Sequence, residues 1–168
     1  MSTATLAVVP CSAAKLDDRA PAADLYVGSL TRSGLLAGEA LQLAGVVDRV
    51  LILSALHGLV ELTDELDPYD VTFGDAEAIR TPLLGDQLVT LHGLSVPDDR
   101  ASSTELLARH QLRLLPLLPR AYDTALSRAV LDAQRSVDVV ALDNPLTGAR
   151  GLLTMRRTLR ELREAAAL

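Results

Sequence analysis

Lysine is nearly absent from this sequence. Lysine and arginine together number 16, and all but Lys15 are arginine. Aromatic residues make up only 2% of the chain, with one Phe, three Tyr and no Trp. There is one cysteine, Cys11. A single cysteine closes no internal disulfide, which fits a reducing, cytoplasmic compartment. No apolar run approaches the roughly 20 residues of a membrane span, so no membrane association is expected. The opening MSTATLAVVPCS lacks the basic segment of a secretory signal. The net charge is -6. An acidic chain has no broad cationic surface for duplex DNA, which disfavours nucleic acid as a partner. Three scattered histidines and one cysteine do not have metal-ligand spacing, and no metal is expected. Neither G-x-x-x-x-G-K nor G-x-G-x-x-G occurs, and no cofactor is expected.

What the chain does have is apolar bulk. Its 168 residues are 49% hydrophobic and 23% charged, enough for one packed domain over 1–168. Thr5 to Val9 (TLAVV) reads as a buried strand that stops at Pro10. Ser29 reads as the N-cap of a helix from Leu30 to Ala44, closed by Gly45. Arg49 to Ser54 (RVLILS) is a second buried strand with Ala55 to Gly58 (ALHG) as its exit loop. A strand–helix–strand order of this kind implies a parallel crossover. Glu61 to Asp75 reads as a long loop over the sheet. Asp75 or Thr81 caps a helix from Pro82 to His92, which ends at Gly93. Ser95 to Ser103 reads as a mobile linker. Leu112 to Leu118 is a third strand near an edge, because Pro116 cannot donate to a ladder. A helix follows from Arg120 to Gln134, then a strand from Val137 to Leu142. A last helix has the apolar stripe Leu152, Met155, Leu159 and Leu162. The expected fold is a three-layer α/β domain with a mainly parallel sheet of about four or more strands.

Ligands of open parallel sheets gather beyond the carboxyl ends of the strands. The two clearest strands exit into Pro10–Lys15 (PCSAAK) and ALHG, and the rare residues lie in those loops. Rarity and topology therefore select one place. Lys15 can supply a point charge to an anion, with Ser12 and loop amides beside it. If burial lowers its pKa, Lys15 can instead act as a nucleophile. Cys11 can attack as a thiolate, or simply pack as a small apolar residue. Tyr26, ahead of Gly28, stacks on a base, donates a hydrogen bond or serves as a half-buried core residue. After Ser54, His57 is a candidate acid or base, and Gly58 lets backbone approach a ligand. In Pro68-Tyr69-Asp70, Asp70 can hold Lys15, act as a base or contact a ribose, while its alternative is a solvated turn. His92 and His110 read as helix-end residues without companions. Arg156, Arg160 and Arg163 share a face of the last helix; they either contact nucleic acid or pair with Glu161 and Glu164.

The succession PCSAAK, LYVG, LSALHGLV, PYDVT and NPLTG resembles an uncharacterised bacterial and phage domain family. That family is in turn similar to the peroxide stress protein YaaA. The YaaA pattern is Pro-Ala-Lys, Tyr-Thr-Gly, Leu-Ser-x-x-Tyr-Gly and Pro-Tyr, and Leu53-Ser54, Gly58, Asp64 and Pro68-Tyr69 align with its last two motifs. His57 stands in place of its Tyr, and Asp70 in place of the Arg after Pro-Tyr. Pro-Cys-x-x-x-Lys also resembles the catalytic domain of archaeosine synthase, which modifies a deazaguanine nitrile in tRNA. Leu16-Asp17 departs from the Pro-Tyr of that enzyme, and its later Ser and His have no counterpart. The resemblance implies a YaaA-like α/β fold and a pocket built on Cys11, Lys15, Tyr26, Ser54 and Tyr69.

Two further classes compete with an enzyme acting on a nucleotide, modified nucleobase or nucleic acid. One is a non-catalytic nucleic-acid-binding protein of oxidative stress, and the other is a phage effector-binding module. In the enzyme reading the ligand is small and anionic or nucleobase-like, Cys11, Lys15, His57 and Asp70 carry catalysis, and Ser12, Tyr26, Gly28, Ser54, Gly58 and Tyr69 bind. The chemistry is transferase- or lyase-like.

Overall fold

A computed structural model of the chain describes residues 2–96 and 110–168. Strand β1 (Ser2–Pro10) is central, flanked by β3 (Arg49–Ser54) and β6 (His110–Pro116), both parallel to it. β7 (Val139–Ala141) extends the sheet in parallel beyond β6, and β4 (Gly58–Glu61) closes the other edge antiparallel to β3. The order is β4-β3-β1-β6-β7. A two-residue ladder joins β2 (Ala20–Pro21) to β5 (Glu65–Leu66), so the long acidic loop is partly pinned.

The layers follow from alternation along the strands. Ala7, Val9, Val50 and Ile52 face one side, where they pack with Ala37 and Leu41 of α2 (Ser29–Leu43) and Leu159 of α5 (Leu152–Ala166). Leu6, Val8, Leu51 and Leu53 face the other, against α3 (Thr81–Ser95) and α4 (Arg120–Ala133). Both faces of the central strands are covered, which is why they read as unbroken apolar runs. The short α1 (Ala22–Leu25) precedes α2. This is a three-layer α/β domain with a five-stranded, mostly parallel sheet. No helix among the described residues is long and apolar enough to cross a membrane.

From β1 the chain moves one way to β3, then returns across β1 to β6. The β1/β6 boundary is therefore the switch point, where carboxyl-end loops diverge and leave a crevice.

Several expectations need correction. β6 lies one strand in from the β7 edge, and Pro116 costs no ladder donor because it ends the strand opposite Val8, beyond Leu114 where the pairing with β7 stops. Gly28, not Ser29, precedes α2, and Ser29 is its first residue. Neither Asp75 nor Thr81 caps α3; Arg80 does so by backbone alone, and the helix continues through Gly93 to Ser95. ALHG is a tight hairpin turn into β4 rather than an open exit loop. Of the expected linker, Ser95 belongs to α3, and 97–103 lie outside the described residues.

His92 and His110 are companions after all. Both are buried, with ring centroids 5.2 Å apart. His92 Nε2 donates to the His110 carbonyl at 2.8 Å, and His110 Nδ1 meets Ser2 Oγ at 2.7 Å. Burial, and secondarily the neighbouring His92, holds the His110 pKa below its usual value, against the pull of Asp138. An unfolded chain then binds more protons than the native one as pH falls below about 6.5. Native stability is accordingly full above that pH and declines as pH drops through the lowered pKa. The melting temperature should fall between pH 7.5 and pH 5, and less steeply in His110→Gln. Parallel declines in the two proteins would remove His110 as the cause.

Candidate functional site

Cys11 continues β1 by one residue, its amide donating to the Leu53 carbonyl at 3.0 Å. The side chain is buried, and its thiol lies 3.2 Å from the Tyr122 hydroxyl. Tyr122 sits in the first turn of α4, just beyond β6. The pair therefore spans the switch point between β1 and β6.

The loop after Cys11 folds back on the segment before α2. Lys15 and Tyr26 form an isolated antiparallel bridge, supported by Leu16 N to Leu25 O at 3.0 Å and Val27 N to Ala14 O at 3.1 Å. Ser12 Oγ donates to Ala14 O at 2.6 Å and accepts from Gly28 N at 3.1 Å. A Cβ on Gly28 would stand 2.5 Å from that of Ser12, so only glycine permits the approach. Ser12 and Gly28 thus hold the loop rather than face a ligand.

The bridge carries the Lys15 ammonium over two rings, 4.3 Å from the Tyr69 centroid and 5.7 Å from that of Tyr26. Cation–π attraction at such distances favours the cation. Burial nevertheless lowers the Lys15 pKa, opposed by the charges of Cys11 and Asp70. Beneath the ammonium runs a chain of hydroxyls: Ser54 Oγ to Tyr69 Oη at 2.5 Å, and Tyr69 Oη to Tyr26 Oη at 2.7 Å. Ser54 Oγ already accepts from the amides of Leu56 and His57, at 3.3 and 3.0 Å. Two lone pairs are then used, so Ser54 must donate to Tyr69 and Tyr69 to Tyr26. The chain has one direction. It ends on Tyr26, which is fully buried in the core and also lies within reach of Ser54.

His57 is exposed but packs edge-on against Tyr69, with centroids 5.3 Å apart. Asp70 is also exposed and makes no ion pair with Lys15, so it does not hold the lysine; its charge acts at a distance. Gly58 is not a ligand approach point. It is the αL residue of the β3–β4 turn, with φ +76°, and the space where a Cβ would go is filled by Gln87 and Ile79. Arg156, Arg160 and Arg163 lie far along the chain on α5. With Arg157 they line a separate groove of ≈ 460 Å³ beside Ser33 and Leu36 of α2. The expected pairing with Glu161 and Glu164 is not made: no carboxylate of the described residues forms an ion pair with them. Among the described residues no three His, Cys, Asp or Glu side chains gather to hold a metal ion.

Tyr122 and Phe73 join the cluster without having stood out in the sequence. They pack edge-on at 4.9 Å. The scarcity of aromatics could have flagged Tyr122, the third tyrosine, two residues past Arg120 in a strand-exit position. All three tyrosines of the chain thus belong to one site.

Burial raises the pKa of each above the usual tyrosine value, and the charge of Cys11 adds to it. For acids with raised native pKa, the unfolded chain ionises first, so stability falls as pH climbs past about 10. Absorbance at 295 nm should show little tyrosinate at pH 10 and then rise together with loss of the far-ultraviolet circular dichroism signal. Ionisation of any tyrosine near pH 10 in a folded protein would contradict the buried network.

A family of unknown function (DUF6884) matches residues 6–139. That span contains every residue of the Cys11–Lys15–tyrosine site, and it ends before α5 and its arginines. No curated protein and no solved structure matches the chain.

Proposed function

The chain belongs to DUF6884, a family of unknown function, and we propose that it is a small cytoplasmic enzyme acting on a nucleotide, a modified nucleobase or a nucleic acid. One observation carries the reading: the only lysine, the only cysteine and all three tyrosines converge at the carboxyl edge of the sheet, at its switch point. Cys11 and Tyr26 also pack in the core, but a lysine whose charge burial disfavours, set over two tyrosines whose pKa values are raised, is the kind of perturbed ionisable cluster that marks catalytic sites. The motif resemblance to YaaA and to archaeosine synthase supports nucleobase chemistry. In this reading Lys15, its charge disfavoured by burial, exchanges a proton or attacks an electrophilic carbon of the base. Cys11 is the second nucleophile within the cluster. The buried Tyr26 and Ser54 hold Tyr69 in orientation beneath Lys15, and His57 is an exposed partner for proton exchange. The transformation is transferase- or lyase-like.

Mass spectrometry of small molecules released from the purified protein tests the ligand class. A purine-like or deazapurine-like compound, lost in Lys15→Ala, is the expected result. A released compound without a nucleobase, or one bound equally by Lys15→Ala, would overturn it.

The second reading is a non-catalytic nucleic-acid-binding protein, favoured by the four-arginine groove of α5. Submicromolar duplex DNA binding with a steep salt slope, abolished by Arg156→Ala with Arg160→Ala, would support that reading over the enzyme.

A further inference from the structure

We infer that a second groove, adjoining the lysine–tyrosine cluster, binds the phosphates of the substrate, which is therefore a nucleotide or an oligonucleotide rather than a free base. The inference rests on the proposed function and names its substrate class. The groove, ≈ 920 Å³, lies between the segment Phe73 to Pro82 and the first turns of α4. None of Cys11, Lys15, Tyr26, Ser54 and Tyr69 lines it. It is lined by Arg80, Arg120 and Arg128, of which the last two stand eight residues apart on one face of α4, with Thr124 between them.

Among the described residues these arginines have no acidic partner to explain them. None forms an ion pair with a carboxylate of the described residues. Among the described residues the one acid in the lining is Asp75, and its Oδ2 is occupied by Thr72, accepting from the amide at 2.7 Å and from the hydroxyl at 3.1 Å. Three guanidinium groups against one engaged carboxylate leave a local excess of two positive charges, on a chain whose net charge is -6. Cations concentrated in a concave site repel one another unless an anion is bound, and guanidinium forks match phosphate oxygens in pairs. A single carboxylate would leave the groove overcharged; a group of charge near -2 or a short phosphodiester run balances it. The volume also exceeds what one small anion needs and lies within the range of nucleotide-sized ligand sites.

The groove and the reactive cluster share a wall. Phe73 lines the groove and packs on Tyr122, whose hydroxyl meets the Cys11 thiol at 3.2 Å. A ligand whose phosphates lie along Arg80, Arg120 and Arg128 can pass Phe73 and present its base to the half-buried Lys15. Phosphate recognition and base chemistry are then divided between the two faces of the Phe73–Tyr122 pair.

Three probes separate the sources of the phosphate: inorganic pyrophosphate, guanosine 5′-monophosphate and a fluorescent 12-nucleotide single-stranded DNA. Each is titrated against wild type, the exposed double variant Arg120→Ala/Arg128→Ala, Lys15→Ala, and Arg156→Ala/Arg160→Ala. At least one probe should bind wild type, with affinity reduced about 10-fold or more in Arg120→Ala/Arg128→Ala. If the oligonucleotide binds, the same variant should flatten its salt slope by roughly 0.7 for each phosphate no longer neutralised. Lys15→Ala should retain phosphate binding, and so should Arg156→Ala/Arg160→Ala. No binding of any probe to wild type overturns the inference, as does unchanged affinity in Arg120→Ala/Arg128→Ala. Loss confined to Arg156→Ala/Arg160→Ala also overturns it and assigns the anion to α5. The enzyme reading fails separately: phosphate binding that depends on Arg120 and Arg128, in a protein that retains no nucleobase compound and turns over none, keeps the groove and removes the catalysis.

Discussion

Gly58→Ala should destabilise the domain by about 3 kcal/mol, the sum of an αL penalty of about 1–2 kcal/mol and the loss of hydrogen bonds worth about 0.5–1.5 kcal/mol each. Gly58 holds φ +76° where β3 turns into β4. A three-residue turn followed by an αL residue is a common way to close such a hairpin, and glycine takes that conformation without cost. A new Cβ would also run into Gln87 Oε1 and come within 2.6 Å of Ile79 Cδ1. Gln87 is a flexible side chain, but it is not free to move aside: Oε1 accepts from Leu59 N at 2.8 Å and Nε2 donates to the His57 carbonyl at 2.8 Å. Displacing it breaks both links between α3 and the turn. For a domain of this size the melting temperature should fall by roughly 6–12 °C, taking 2–4 °C per kcal/mol. Because Ser54 accepts from the amides of this turn, its hydroxyl chain to Tyr69 should loosen as well. Gln87→Ala supplies the control, since it removes the obstruction and the two hydrogen bonds but leaves φ alone. Combined with Gly58→Ala it should cost less than the sum of the two single changes. Strict additivity, or a Gly58→Ala variant as stable as wild type, would show that Gln87 does not fix the turn.

That turn also marks where sequence reasoning stops. TLAVV and RVLILS are legible because β1 and β3 are covered on both faces, and a strand with no solvent face has no polar alternation to hide it. β4 is hidden by its brevity and by a turn without an Asn-Gly or Asp-Gly signal. Pro116 has the look of an edge marker, yet it costs nothing at the last position of an internal strand whose neighbour has already ended. What the strand pattern does not convey is that β6 pairs with β1, which is what brings Tyr122, in the first turn of the helix after β6, onto Cys11. Rarity finds Cys11, Lys15, Tyr26 and Tyr69, since composition is a property of the chain and needs no topology. It cannot find Arg80, Arg120 and Arg128. Arginine is this chain's ordinary cation, so three of them signal nothing until the fold brings them to one groove. His92 and His110 show the same limit, being 18 residues apart in the chain and brought together only through the register of β6 with α3.

Replacing Lys15 should separate charge from proton transfer. Lys15→Arg keeps a cation that can stack over Tyr69 and Tyr26, but guanidinium does not deprotonate in proteins. If Lys15 only supplied charge, Arg would preserve function. The lowered pKa points the other way, because burial works against the charged form that such a role would need. Both Lys15→Arg and Lys15→Ala should therefore lose turnover by about 10²–10⁴-fold, the usual contribution of a positioned acid or base. Stability should hardly move, since the cation–π attraction of a partly exposed lysine is worth about 0.5–1 kcal/mol. One property of the chain allows a test before any substrate is known. Lys15 is its only lysine, so ¹³C-lysine labelling yields one side-chain resonance, and its titration reads this amine alone. The midpoint should lie below 10.5, the ordinary lysine value. Acetylation by acetic anhydride, followed by mass spectrometry, should reach Lys15 at lower pH than it reaches free lysine. Removing a neighbouring charge gives the sign: Asp70→Asn should lower the midpoint further, because Asp70 now favours the ammonium. A midpoint at or above 10.5 would make Lys15 a permanent cation. Lys15→Arg would then be expected to retain function, and the anion-binding role would replace the acid–base one.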